Sequence, residues 1–171
     1  MTRTWWLRAV DALFHRYAPM VNGLALRLMG RRDDVDDLVQ DCFVEALSNW
    51  RKLREPSAFS GWLKSIVVHR AAKLIRRRQI AAKIGLGRAR LTIDVDALIA
   101  PAVPADVATE LRAVYQRVQG LPADLRTVLI LRRVEGYSLD EIGQITRVSL
   151  ATVKRRLAAA ERSIRREDGK L

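Results

Sequence analysis

Two hydroxyl caps eleven positions apart leave the C-terminal third of this 171-residue chain very little freedom. In YSLDEIGQITRVSLATVKRRL, Ser138 and Glu141 have the spacing of a capping box, with Tyr137 and Ile142 placed as a hydrophobic staple. Ser149 is a second N-cap, and Val148 can staple onto Val153. The spacing predicts a two-turn helix ending near Ile145, a turn of Thr146, Arg147 and Val148, and a longer helix after Ser149. Gly143, inside the first helix, leaves room for the two to cross closely. Along the second, Leu150, Val153, Leu157, Ala160 and Ile164 form an apolar stripe at helical spacing. Ala151, Thr152, Lys154, Arg155, Ala158 and Arg162 face the other way. A short helix, a tight turn and a longer basic helix make a helix-turn-helix, whose second helix enters the major groove. Its N-terminal side chains then meet base edges and its later arginines meet phosphates. A helical hairpin with merely solvated arginines would require neither both caps nor both staples.

The charge points the same way. Lys and Arg number 31 against 19 acids, a net charge of +12, which favours nucleic acid first and an anionic membrane surface second. Residues 1–80 carry 15 basic and 8 acidic side chains and residues 111–171 carry 13 and 7, whereas 81–110 carry 3 and 4. That middle stretch holds Gly85, Gly87, Pro101 and Pro104, shows no sustained period, and rejects a continuous helix. TIDV is its only strand-like run. The reading is an all-α chain of two small helical domains, 1–80 and 108–171, joined by a linker over 81–107.

In the first domain Val35, Leu38, Val39, Cys42, Phe43, Ala46, Leu47 and Trp50 trace an amphipathic helix of four turns. Asp33 or Asp34 can cap it, and Asp36 and Asp37 lie in its first turn, where the helix dipole favours anions. A second pattern runs Phe59, Trp62, Leu63, Ile66, Val67, Leu74 and Ile75, capped by Ser57 or Ser60, with Pro56 at the bend between the two. Upstream, Val10 to Tyr17 and Val21 to Leu28 suggest two helices separated near Pro19. In the second domain Leu111, Val114, Tyr115 and Val118 give a short helix ended by Gly120. Another starts at Pro122 and is closed by Gly136.

Other classes fall away. A single Cys excludes a disulfide framework, and one Cys with two His cannot close a zinc site. No apolar run approaches the ~20 residues of a membrane span. Arg8 and Asp11 interrupt what a signal peptide would need to keep apolar. A soluble, cytoplasmic protein without membrane insertion is expected. Cys42 lies on the apolar stripe, His15 and His69 have no fitting partners, and adjacent carboxylates of the 33–37 cluster do not converge on a metal. Neither an enzyme nor a cofactor or metal site is expected. A conventional helix-turn-helix regulator would account for the second domain but not for the acidic helix of the first. No dimerisation helix is visible, so a monomer is expected when free.

LPADLRTVLILRRVEGYSLDEIGQITRVSLATVKRRL resembles the promoter-binding region 4 of bacterial RNA polymerase sigma factors. DDVDDLVQDCFVEALSNW resembles their polymerase-binding segment, and SAFSGWLKSIVVHRAAKLIRRR the adjoining segment that opens and reads the −10 element. Two domains with nothing between them but a linker resemble the extracytoplasmic-function (ECF) type, over roughly residues 10–80 and 108–166. The resemblance implies core RNA polymerase, promoter DNA and an anti-sigma factor as partners. It assigns Asp36, Asp37, Leu38, Gln40, Asp41 and Phe43 to polymerase binding. Asp37, Gln40 and Asp41 are expected on the solvent face, an acidic patch suited to a basic partner.

For the melted −10 strand the resemblance implies Ser57, Phe59, Ser60 and Trp62 as a base-capturing start, where core packing is an equal alternative for Phe59 and Trp62. Ser65, His69, Ala72 and Arg76 are expected as an outward stripe, with Lys73 and Arg77 beside it. For the −35 element it implies Ser149, Ala151, Thr152, Lys154, Arg155 and Arg162. The chain departs from the family's pattern at Val67, Val68, His69 and Lys73, where Ala-Arg-Asn and a later Asp are frequent, and at Arg147, where Gly is frequent. These departures bear on promoter sequence and keep a sigma-like decoy, binding anti-sigma factor without starting transcription, as a further alternative.

Overall fold

The computed structural model describes residues 3–53, 55–85 and 103–168. Seven α-helices and three short 3₁₀ turns make up these residues, with no strand among them. Helix α1 spans Arg3–Met29, α2 Val35–Asn49 and α3 Phe59–Lys83. Helix α4 spans Ala105–Gly120, α5 Ala123–Arg133, α6 Leu139–Thr146 and α7 Leu150–Asp168.

The N-terminal helices expected on either side of Pro19 are one helix. A proline inside a helix loses a backbone bond and costs about 3 kcal/mol. Packing on both sides outweighs it. Before Pro19, the Phe14 ring meets Phe43 of α2 at 4.8 Å and Tyr17 meets Phe59 of α3 at 5.0 Å. After it, Val21, Leu24, Ala25 and Leu28 are fully buried. Pro19 itself is exposed.

The α2 stripe is buried as its period requires: Val35, Leu38, Val39, Cys42, Phe43 and Ala46. Trp50, at its end, is half exposed. The expected caps are absent. Asp34 is the N-cap of α2 but makes no side-chain cap bond, because its carboxylate is taken by Arg78 of α3 while Asp33 pairs with Arg31. Neither Ser57 nor Ser60 caps α3. Pro56–Ala58 forms a 3₁₀ turn that leads straight into the helix, with Ala58 at the cap. The linker contracts at both ends, since α3 runs to Lys83 and α4 begins at Ala105 after Pro104. The rest of the linker, with TIDV, Gly87 and Pro101, lies outside the described residues.

The two halves share one continuous hydrophobic core, from Val21 and Leu24 of α1 through Leu63 and Ile66 of α3 to Val128, Ile142 and Val153. Helix α3 is the hinge plate of this arrangement: α1 and α2 cover one side and α5 and α6 the other. Much of the polar seam satisfies helix-end carbonyls, which have no partner within their own helix. The Ser65 hydroxyl donates to the Ile145 carbonyl at 2.9 Å, and the Gln79 amide donates to that of Leu121 at 2.8 Å. Arg126 reaches the Leu28 carbonyl at 3.5 Å. Arg27 pairs with Glu135, and the Lys64 ammonium sits 5.1 Å from the centre of the Tyr137 ring.

Gly30, at φ +71, ends α1 in the left-handed region, and a Cβ there would strike the Gln119 side chain at 2.3 Å. The left-handed backbone favours glycine there, and a larger residue would also have to displace the Gln119 amide.

Candidate nucleic-acid interface

The helix-turn-helix is built as its spacing requires. Ser138 and Glu141 close the capping box: the Ser138 hydroxyl accepts from the Glu141 backbone, and the Glu141 carboxylate accepts from the Ser138 backbone at 2.8 Å. The hydroxyl and backbone of Ser138 together hold the Glu141 carboxyl below the usual carboxylate range. Helix α6 runs one residue further than expected, to Thr146. Arg147 then turns the chain at φ 55 and ψ 44, the left-handed conformation that favours glycine. Its backbone N–H and that of Val148 both donate to the Gly143 carbonyl. A Cβ on Gly143 would lie 3.1 Å from the Val148 carbonyl oxygen, so the small residue is what lets the turn fold back onto α6.

Ser149 caps α7 by accepting from the Thr152 backbone at 3.3 Å, and its hydroxyl also bonds the Thr152 hydroxyl at 3.0 Å. Of the α7 stripe, Val153 and Ala160 are fully buried, and Leu157 and Ile164 pack against the core. Leu150 departs from expectation at 38% exposed, because the first residue of the helix overhangs the core. Ser149, Ala151, Lys154, Arg155 and Arg162 are exposed, whereas Thr152 is half-buried. The outcome is a rigid helix start carrying two cations and small side chains toward solvent.

The acidic helix divides by burial. Asp36, Asp37, Gln40 and Asp41 are exposed. Leu38 and Phe43, grouped with them in the sequence pattern, are core residues at 4% and 7% exposure and hold the helix against its neighbours. Arg70 of α3 pairs with Asp41 at 2.7 Å and with Glu45, an arginine to which the sequence patterns gave no role. Below Asp37 and Asp41 opens a cleft of about 490 Å³ between α2 and α3, floored on the α3 side by His69, Lys73 and Arg77.

Here the expected outward stripe on α3 separates. His69, Lys73 and Arg77 are exposed and face the α2 cleft. Ser65 and Ala72, expected on the same outer face, are buried at 6% and 7%, with Ser65 bonded across the seam to α6. Arg76 is half exposed and pairs with Asp124 of α5. The correction has a simple cause. A helix face that looks solvated from its own sequence can be covered by a partner far along the chain. His69 is held in turn by a 2.6 Å bond between its Nδ1 and the Ser65 carbonyl.

At the start of α3, Ser57 is exposed and Ser60 half-buried, while Phe59 and Trp62 are half-buried and packed against the core. Their rings continue the aromatic run from Tyr17, 5.9 Å apart. Both rings therefore serve the core and leave part of their surface open.

Sequence patterns gave no sign of two further arginine sites. Arg126 is 4% exposed and, among the described residues, bonds to carbonyl oxygens of Gln119 and Leu28. Burial, reinforced by Arg78 nearby, pulls its guanidinium down to about 10. Arg156 of α7 pairs with the same Asp124 that holds Arg76. Both depend on long-range proximity, for which no periodicity gives a signal.

The chain matches the Sigma-70 region 2 family over residues 13–80 and the Sigma-70 region 4 family over residues 111–164. It is 30% identical to the ECF RNA polymerase sigma-E factor of Haemophilus influenzae, covering 92% of this chain and 86% of that protein. It is likewise 30% identical to the RNA polymerase sigma-H factor of Pseudomonas aeruginosa, over 92% and 84%. Among solved structures, the sigma factor RpoE bound to the anti-sigma factor NepR from Bartonella quintana superposes with a TM-score of 0.67. That match has 20% identity and covers 91% of this chain and 94% of the other. CnrH in complex with the cytosolic domain of CnrY gives 0.63 at 22% identity, over 96% and 90%.

Proposed function

The chain belongs to the ECF sigma factors, which direct core RNA polymerase to promoters, and we propose that its two helical units divide that work between three surfaces. The N-terminal end of α7 reads the −35 element, with Lys154 and Arg155 at base edges or phosphates, Ser149, Ala151 and Thr152 closing the approach, and Arg162 on the backbone. The exposed acids of α2, Asp36, Asp37 and Asp41 with Gln40, dock a basic surface of the polymerase. The start of α3, Ser57 to Trp62, with His69, Lys73, Arg76 and Arg77, holds the melted −10 strand through aromatic surface and positive charge.

The observation that carries this division is the opposition of charge. A strongly basic protein keeps an exposed row of carboxylates on α2, while its capped helix α7 presents cations to solvent. One surface fits a basic protein and the other a polyanion. Neither DNA grip has to be tight, since attachment to one polymerase raises the effective concentration of each. The resemblance to the sigma factor RpoE, solved with the anti-sigma factor NepR, supports a protein of that class as regulator here.

Run-off transcription with core RNA polymerase on fragmented host DNA, with mapped starts, tests the division. Discrete starts that appear only with the protein are expected. Asp37→Ala with Gln40→Ala should abolish polymerase binding and leave duplex affinity unchanged, and Lys154→Ala with Arg155→Ala should do the reverse. Starts that survive all four substitutions would remove both assignments. Polymerase binding without any start would favour the decoy.

A further inference from the structure

We propose that Asp124 is an internal phosphate mimic that latches the two halves together over the −10 surface of α3. Its two carboxylate oxygens each hold one guanidinium: Oδ1 takes Arg76 of α3 at 2.6 Å, and Oδ2 takes Arg156 of α7 at 2.6 Å. Two arginines from two different helices gathered on one pair of anionic oxygens is the arrangement that a backbone phosphate would offer. The proposal rests on the reading of α3 as a strand-binding face.

Charge explains why a latch is needed there. Residues 1–80 and 111–171 are both strongly basic, so closing one half on the other brings like charges together. An acid at the seam offsets that repulsion locally. Two acids of the second half reach the first among the described residues: Asp124, on Arg76, and Glu135, on Arg27. Asp124 is the one whose partner belongs to the basic run Arg76–Arg78.

Closure has an asymmetric effect on the two DNA surfaces. Ser65 and Ala72 are buried, Ser65 against α6, and Arg76 is occupied, whereas Lys154 and Arg155 of α7 stay exposed. The closed protein can therefore present its duplex-reading helix while Arg76, one cation of its strand-holding face, is withheld. DNA phosphates compete with Asp124 for Arg76, so opening and strand capture are coupled: whatever frees Arg76 favours both. Free sigma factor thereby holds stray single strands less tightly, without a second protein.

The test uses the full chain carrying donor and acceptor dyes at Lys52→Cys and Arg166→Cys, exposed positions in the two halves. Native Cys42 is fully buried and stays unlabelled. Energy transfer and binding of a mixed-sequence single-stranded 24-mer are measured across a salt series. Asp124→Asn is expected to lower transfer and to tighten binding several-fold. It should also steepen the log–log salt dependence by about 0.7, the increment for one additional phosphate neutralised on a single strand. Asp124→Arg should open the protein, and adding Arg76→Asp should re-close it by restoring a seam pair of reversed polarity, which a merely misfolded variant would not do.

Unchanged transfer in Asp124→Asn overturns the latch, even if binding tightens, because removal of one negative charge then explains the affinity. Failure of Arg76→Asp to restore closure overturns it as well. If transfer falls but neither protein binds the 24-mer, the latch stands and the strand-binding reading of α3 fails.

Discussion

The Ser65 hydroxyl caps the last turn of a helix eighty residues away, donating at 2.9 Å to the backbone carbonyl of Ile145. Ser65 is a small polar residue in the second turn of α3, and Ile145 lies at the end of α6, where carbonyls have no partner of their own. One short side chain thereby ties α3 to the helix-turn-helix.

Ser65→Ala is expected to weaken this closure by about 1 kcal/mol, the usual net worth of a buried neutral hydrogen bond. Native-state hydrogen exchange checks it. Amides of α6 should exchange roughly fivefold faster, the factor for that energy, while those of α1 and α2 keep their protection. Equal protection in both proteins would mean that the bond contributes nothing to closure.

Arg147 holds φ 55 where the family frequently has glycine. An L-residue in that region costs about 1–2 kcal/mol, part of which glycine returns through its greater freedom when unfolded. Arg147→Gly is therefore expected to stabilise the protein by about 0.5 kcal/mol, and Arg147→Val to destabilise it by about 1 kcal/mol or more. Thermal melting of the two variants should bracket the parent.

Gly143→Ala sets helix propensity against space. Alanine gains up to about 1 kcal/mol inside a helix. Its Cβ, however, would stand 3.1 Å from the Val148 carbonyl oxygen, which the Arg147 turn fixes in place. Overpacking against rigid backbone costs about 1–3 kcal/mol, so net destabilisation is expected. Urea unfolding measures it, and a higher midpoint would show that the turn can yield.

Cys42 is fully buried, and that burial pushes its thiol from 9.0 up to about 12. At pH 8.5 the folded protein should resist iodoacetamide and the urea-unfolded chain should react readily. The same shift sets an alkaline dependence. The unfolded thiol gives up its proton from about pH 9 while the folded one keeps it, so the contribution to stability is complete below pH 9 and is lost toward pH 12. Cys42→Ala should flatten that part of the stability profile.

Much of this protein was legible residue by residue. The 3.6 period over Val35–Ala46 located α2 and its core face, because amphipathicity follows from a helix packing on one side. Ser138, Glu141, Gly143 and Ser149 located the helix-turn-helix, because capping is chemistry between residues three apart. The misreadings share one cause. Pro19 was read as a break, Ser65 and Ala72 as outward-facing, and Asp34 as a side-chain cap. In each case a distant element overruled the local rule: the aromatic contacts of α1, the cover by α5 and α6, and Arg78.

By itself, then, the sequence determined the helices with strong periodicity, the caps and turn that set α7, the acidic row of α2 and the basic surplus that calls for DNA. All of these depend on neighbours within about four positions, or on composition alone. The meeting of Arg76, Asp124 and Arg156, the burial of Arg126 among carbonyls, and the bond from Ser65 of α3 to the second half of the chain came from the packing of distant helices. Most of those contacts join residues thirty to about a hundred positions apart. They arise because buried apolar faces, once formed, leave the helix-end carbonyls and surplus charges at the seam to be satisfied by whichever donors the packing brings near.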